Sequence, residues 1–168
     1  LRAIGRKRKK VILSTGMCSL GDIESALNSL ESEGLQRKDI TILHCTTEYP
    51  APIDEVNLLA IETLQKYFGT SVGYSDHTIG ISIPIAAVSL GAKIIEKHLT
   101  LDRSMPGPDH LASIEPDEFA AMVTAIRQVE DAMGDGVKRV TESEKKNLMV
   151  ARKSLVASRK IKRGDLFS

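Results

Sequence analysis

The 168-residue chain has only two cysteines, Cys18 and Cys45, too few for a disulfide-stapled secreted scaffold. It has no run of about 18 or more apolar residues, which excludes a membrane-spanning helix, and no apolar secretory core follows its basic N-terminus. Net charge is almost absent, with 23 basic side chains against 22 acidic ones. No Gly-rich dinucleotide fingerprint follows the first apolar run, which disfavours a Rossmann-type site. What remains is an ordinary globular composition, 42% hydrophobic and 27% charged, expected in the cytoplasm. The chain begins at Leu1 without an initiator methionine, so a piece of a longer polypeptide is expected.

Charge is present but unevenly placed. Residues 1–10 carry six basic groups and no acids, residues 138–168 carry ten basic and three acidic groups, and the body between them has a net charge of −12. An acidic body argues against nucleic acid as a partner, because phosphate binding needs a continuous basic face. The Arg6-Lys7-Arg8-Lys9-Lys10 run is readable as a localisation signal or a polyanion patch, but a solvated helix end running into a strand is preferred.

Four short runs have strand character: Val11-Ile12-Leu13, Ile40-Thr41-Ile42-Leu43, the weaker Ser71-Val72-Gly73-Tyr74, and Lys93-Ile94-Ile95-Glu96. Helical spacing lies between them. Ile23, Ala26, Leu27 and Leu30 share one face behind a Ser19/Asp22 capping pattern, with Gly34 as a stop. A second helix carries Val56, Leu59, Leu64 and Phe68 and ends at Gly69, and a third, about 81–90, ends at Gly91. The fourth starts at Pro116 and runs through Phe119, Met122, Val123, Ile126, Val129 and Met133 to Gly134. The order βαβαβαβα predicts a parallel sheet with crossover helices.

Each strand runs into polar residues: Ser14-Thr15, His44-Cys45-Thr46-Thr47, Ser75-Asp76-His77, and His98 with Thr100. Active sites of (β/α)8 TIM barrels are assembled at such strand ends, so an α/β barrel is expected, with this chain supplying four βα units. Alone, four units leave two open sheet edges, and the first half of the barrel is expected to precede Leu1. The domain boundaries expected are a half-barrel over 1–137, a linker over 138–153, and from residue 154 a segment that alternates like a strand followed by a turn.

His77 and His98 lie at successive strand ends, where two imidazoles can converge on one divalent metal. From spacing alone, structural histidines hydrogen-bonded in loops are the preferred reading. His44, inside its strand run, is read as a satisfied core histidine and His110 as a loop residue. The long loop Asp102–His110 holds Asp109, a candidate acceptor for a substrate hydroxyl or a metal-bound water, or it is simply a rigid connector. Glu48 and Tyr49 place a carboxylate and a phenol at the rim, and Ser14, Thr47 and Ser75 are short hydroxyl donors suited to a phosphate or carboxylate.

In order and spacing, Ser14-Thr-Gly-Met17, His44-Cys-Thr-Thr-Glu-Tyr-Pro50, Gly73-Tyr-Ser-Asp-His-Thr78, Glu96-Lys-His98 and Pro106-Gly-Pro-Asp109 resemble the successive motifs of the sialic acid synthase family. The resemblance spans roughly residues 10–166. It implies condensation of phosphoenolpyruvate with an N-acetylated hexosamine aldehyde, N-acetylmannosamine in the N-acetylneuraminate synthases, inside a barrel followed by a small antifreeze-like (SAF) domain. By the same resemblance His77 and His98 are catalytic and ligate Mn2+ or Mg2+, Ser14, Thr47 and Ser75 bind phosphoenolpyruvate, and Tyr49 and the catalytic Asp109 face the sugar. Thr47 departs from an asparagine found there in some members. Residues 154–168 resemble the opening of the SAF domain, and the family implies a homodimer of the full protein. The family's lysines, glutamate and glutamine of the first four strands are not in this chain, so the fragment alone is expected to be inactive. A sister activity would keep the chemistry and take a diacetylated hexose, giving legionaminic or pseudaminic acid precursors. A non-catalytic half-barrel acting as an assembly partner is the alternative from another class.

Overall fold

In the computed structural model, which describes residues 1–166, the expected runs form strands β1 (Val11–Ser14), β2 (Ile40–Cys45), β3 (Ser71–Asp76) and β4 (Ile95–Lys97). They lie in the order β1-β2-β3-β4, and every pairing is parallel. Helix α1 (Arg2–Gly5) precedes β1, and α2 (Leu20–Glu31), α3 (Ala60–Phe68), α4 (Ser82–Ser89) and α5 (Pro116–Met133) follow successive strands. Four sequential βα units with neighbouring parallel strands are half of a (β/α)8 barrel, as expected.

Local chemistry sets the helix ends. Ser19 caps α2 reciprocally: its Oγ accepts from Asp22 N at 3.3 Å, while its own N donates to Asp22 Oδ2 at 2.9 Å. Such a cap contributes about 0.5–2 kcal/mol. Gly69 ends α3 in the left-handed conformation at φ 62°, where a Cβ would be strained. Pro116 opens α5 as its first residue, behind a reciprocal Glu115–Glu118 cap. The basic N-terminal run is a helix end leading to a strand, and its Arg6 pairs with Glu33 at 3.0 Å.

Strand alternation divides the sheet. Ile40 and Ile42 of β2 and Val72 and Tyr74 of β3 pack with Ile23, Leu27 and Leu30 of α2 and Ile61, Leu64 and Phe68 of α3. A second cluster joins Met122 and Ile126 of α5 to Ile85 and Val88 of α4, with Ile114 beneath. The opposite face carries Ile12, Leu43, Gly73 and the polar strand ends. Ile12 there is 56% exposed, a β-branched side chain on a sheet face left uncovered.

Three expected boundaries differ. Helix α3 begins at Ala60 rather than near Val56, because Ile53–Glu55 close a separate 3₁₀ turn and Asn57 has φ 49°. Strand β4 runs Ile95–Lys97 rather than from Lys93, although Lys93 N donates to Val72 O and Ile94 O accepts from Tyr74 N, both at 2.8 Å. Helix α2 stops at Glu31, three residues before Gly34.

From Asp135 the chain forms a second unit. The segment expected as a linker contains two single-turn helices, α6 (Glu142–Lys145), capped by Thr141, and α7 (Leu148–Ala151). The strand expected from residue 154 does not form among the described residues: Leu155 and Val156 are exposed and have no neighbouring strand to pair with. The following turn does form, closed by Asp165 N donating to Lys162 O at 3.1 Å and Lys162 N to Asp165 Oδ2 at 2.9 Å. Residues 167–168 of the segment expected to open a SAF domain lie outside the described residues. No helix among the described residues is long and apolar enough to cross a membrane.

Candidate active site

Parallel register pairs Ser14 with Leu43, Leu43 with Gly73, Cys45 with Ser75 and Ser75 with Glu96. Paired residues of neighbouring strands share a face, so these side chains line the side opposite the helices. Gly73 is required there: a Cβ would lie 2.6 Å from both Ile94 O and Leu43 Cδ2. Ser75, 2% exposed, donates from Oγ to Glu96 Oε1 at 2.7 Å.

Two residues beyond Ser75, His77 stays on the same face. Its Nδ1 lies 2.6 Å from Thr46 O. A carbonyl can only accept, so Nδ1 carries a proton, and in the neutral imidazole this leaves the lone pair on Nε2. Nε2 is 3.4 Å from Ser75 Oγ. The His98 ring stands edge-on to His77, with centroids 5.3 Å apart. Tyr49 packs against both, at 4.1 Å from His77 and 5.0 Å from His98. Burial first, then the neighbouring Cys45, Asp109 and Glu96 side chains, raise the Tyr49 hydroxyl above the ordinary phenol value, so it stays a donor.

Asp109 arrives from the long loop, its Oδ2 3.9 Å from His98 Nδ1. That loop is pinned at both ends. Thr100 Oγ1 lies 2.8 Å from His110 Nδ1, and Asp102 Oδ1 accepts from Ser104 N and Oγ at 2.7 Å each. Arg103 donates from N to Glu115 Oε1 at 3.0 Å and from Nε to Ser113 O at 2.9 Å, and its guanidinium pairs with Glu118.

Ser75, His77, His98, Tyr49 and Asp109 therefore converge at the ends of β3 and β4. Ser14 and Thr47 lie at the ends of β1 and β2. Ser14 Oγ is 3.1 Å from Cys45 Sγ, and Thr47 lies so close over Gly16 that a Cβ there would be 2.0 Å from Thr47 Oγ1. Cys45 links the two groups through the pairing of Cys45 with Ser75. His44 faces the helix layer with Nε2 2.7 Å from Val56 O, as expected of a core histidine. Glu96, present in a recognised motif but not singled out from sequence, is the added member. Its signal is parity: it is paired with Ser75 and stands two residues before His98.

A lone pair fixed on His77 and a second imidazole beside it fit a divalent cation that keeps open coordination positions. Among the described residues no three His, Cys, Asp or Glu side chains form a fuller ligand set.

A parallel half-barrel whose inner strand ends carry hydroxyls, a carboxylate and paired imidazoles has the build of the catalytic face of a TIM-barrel protein. The chain belongs to the NeuB family, which matches residues 1–138. It is similar to the N,N'-diacetyllegionaminic acid synthase of Campylobacter jejuni, at 58% identity over 168 residues, covering 100% of this chain and 50% of that protein. It is also similar to the pseudaminic acid synthase of Campylobacter jejuni, at 41% identity over 168 residues, covering 100% of this chain and 48% of that protein. Among solved structures, N-acetylneuraminic acid synthetase from Leptospira borgpetersenii in complex with citrate aligns with a TM-score of 0.78 at 36% identity, over 90% of this chain and 54% of that one. The chain spans about half the length of the curated relatives it matches.

Proposed function

We propose that this chain is the C-terminal half of the barrel of a phosphoenolpyruvate-dependent nonulosonate synthase. The observation that carries it is the convergence of Ser75, His77, His98, Tyr49 and Asp109 at two neighbouring strand ends of a NeuB-family chain. In the reaction, C3 of the enol forms a bond to the aldehyde carbon of an N-acylated hexosamine. Water oxygen bonds to C2, a proton goes to the former aldehyde oxygen, the bond between C2 and the bridging oxygen of the phosphate ester breaks, and inorganic phosphate leaves.

The residues divide the work by chemistry. Ser14, Thr47 and Ser75 offer short hydroxyls to the phosphate and carboxylate oxygens of phosphoenolpyruvate. Thr47, shorter than an asparagine, makes the weaker contact. Glu96 accepts the Ser75 hydrogen bond in this structure, so Ser75 donates to phosphoenolpyruvate by turning its single hydrogen from Glu96 to the substrate. Tyr49 closes over the histidines and donates to the sugar, and Asp109 accepts from a sugar hydroxyl. His77, through Nε2, and His98 would hold Mn2+ or Mg2+, whose chemistry when bound is Lewis-acid polarisation of the acceptor carbonyl.

For the acceptor, 58% identity to a diacetyllegionaminic acid synthase against 36% to an N-acetylneuraminic acid synthetase favours a diacetylated hexose over N-acetylmannosamine. The intact enzyme is read as a cytoplasmic homodimer with residues 154–168 opening its SAF domain. Phosphate release by the intact protein from phosphoenolpyruvate, compared for the two acceptors, tests the proposal. Higher kcat/KM with the diacetylated hexose is expected. A preference for N-acetylmannosamine overturns the acceptor assignment, and no release with either sugar overturns the synthase and favours an assembly partner.

A further inference from the structure

Asp76 and Lys97 form the last rung of the β3–β4 ladder. Each stands between two residues of the site, Asp76 between Ser75 and His77, Lys97 between Glu96 and His98. Alternation sends those four side chains to the inner face and this pair to the helix side. There the Asp76 and Lys97 side chains are 0% and 1% exposed. Lys97 Nζ donates to Asp76 Oδ2 and to Thr78 O, both at 2.6 Å. Asp76 Oδ1 accepts from Thr78 N at 3.0 Å and Thr78 Oγ1 at 2.8 Å. Tyr74 lies two residues earlier on the same face, and burial first, then the Asp76 charge, keep its hydroxyl protonated.

A buried ion pair is a poor source of stability, since apolar side chains of similar volume are often as good or better. Its position suggests another use. The ladder ends one residue short of both histidines. Beyond it, His77 O accepts from Ala51 N at 2.9 Å and His98 O from Ile114 N at 2.8 Å, so their backbones are tied to other loops rather than to each other. The Lys97 bond to Thr78 O and the Asp76 bonds to Thr78 carry the cross-strand link past the ladder's end.

We propose that Asp76 and Lys97 are positioning residues whose buried pair sets the spacing of the β3 and β4 ends at which His77 and His98 share one cation. This rests on the cation-binding role given to the two histidines above. The test uses the intact protein and Mn2+ alone, titrated by electron paramagnetic resonance of the free ion, with thermal unfolding and steady-state kinetics beside it. Asp76→Leu combined with Lys97→Met replaces the pair by apolar side chains. Near wild-type unfolding is expected, with Mn2+ affinity weakened about 10- to 100-fold, the range for loss of groups that support metal ligands, and kcat lowered more than the KM for phosphoenolpyruvate is raised. A folded double variant with wild-type Mn2+ affinity overturns the proposal. Should that variant not fold, Asp76→Asn keeps the Oδ1 acceptor for Thr78 and removes the charge. Weakened Mn2+ binding in it supports the proposal, and wild-type affinity overturns it. Wild-type protein that binds no Mn2+, or binds it equally well as His77→Ala, overturns the cation-binding role itself and this inference with it.

Discussion

Gly16→Ala should weaken phosphoenolpyruvate binding through Thr47 while leaving the fold in place. An alanine Cβ at position 16 would lie 2.0 Å from Thr47 Oγ1 and 3.1 Å from Cys45 Sγ, where ordinary contact begins near 3.4 Å. The hydroxyl must retreat by more than an ångström. Thr47 is exposed at the end of β2, so rotation about χ1 absorbs the clash at about 0.5–1.5 kcal/mol of local strain. Losing a hydrogen bond to a charged oxygen of the substrate costs about 1.5–3 kcal/mol. At about 1.4 kcal/mol per tenfold, that is a roughly 10- to 100-fold rise in KM for phosphoenolpyruvate. Phosphate-release kinetics on the intact protein read the change, and thermal unfolding separates it from loss of fold. A double-mutant cycle isolates the route. With Thr47→Ala in place there is no hydroxyl to displace, so adding Gly16→Ala should cost less than about 0.5 kcal/mol. Fully additive effects, or an unchanged KM in Gly16→Ala, would refute the reasoning.

Three further outcomes follow from the geometry. Gly73→Ala should destabilise the protein by about 1–3 kcal/mol in denaturant melts, because the new Cβ meets a backbone carbonyl, Ile94 O, that already accepts from Tyr74 N; an unchanged midpoint contradicts this. His44→Ala should cost about 1–3 kcal/mol of stability by leaving Val56 O without its partner, with kcat unchanged; lost turnover at full stability would instead move His44 into the site. Arg37 holds Glu31 at 2.6 and 2.7 Å, and its hydrogen bonds, more than its charge, keep the Glu31 carboxyl below its ordinary value. The stability this pair adds over Glu31→Gln is therefore fully present above about pH 4.3, the unfolded value, and is lost as pH falls through the lower folded value. A Tm difference that grows on acidification would contradict that sign.

Features set by neighbouring residues in the chain were the most legible. Ser19 with Asp22, Pro116 and Gly69 mark helix ends by their own side-chain or backbone chemistry, and all three do so in the structure. Features that need a distant partner were harder to read. The end of β4 depends on Asp76, which draws the polar Lys97 into the last rung, whereas the apolar run alone pointed to Lys93–Glu96. The alternation from residue 154 is genuine in sequence, but alternation makes a strand only when another strand offers hydrogen bonds. The same division holds at the site. Convergence of His77 and His98 follows from topology, since consecutive parallel strands bring their C-terminal ends together. The part played by Glu96 needed the register opposite Ser75, and the Thr46 carbonyl that fixes the His77 tautomer has no side-chain signature at all.

Turnover of the His77→Ala and His98→Ala forms of the intact protein, with unfolding curves for each, tests the central claim most directly. Both residues follow the C-terminal ends of β3 and β4, the face at which TIM barrels assemble active sites rather than the one that carries stability. The account predicts native-like unfolding with kcat reduced by at least about 100-fold, the scale for losing a group that stabilises developing oxyanion charge, and loss of wild-type turnover on exhaustive chelation. Wild-type turnover in either variant, or full turnover after chelation, would contradict it.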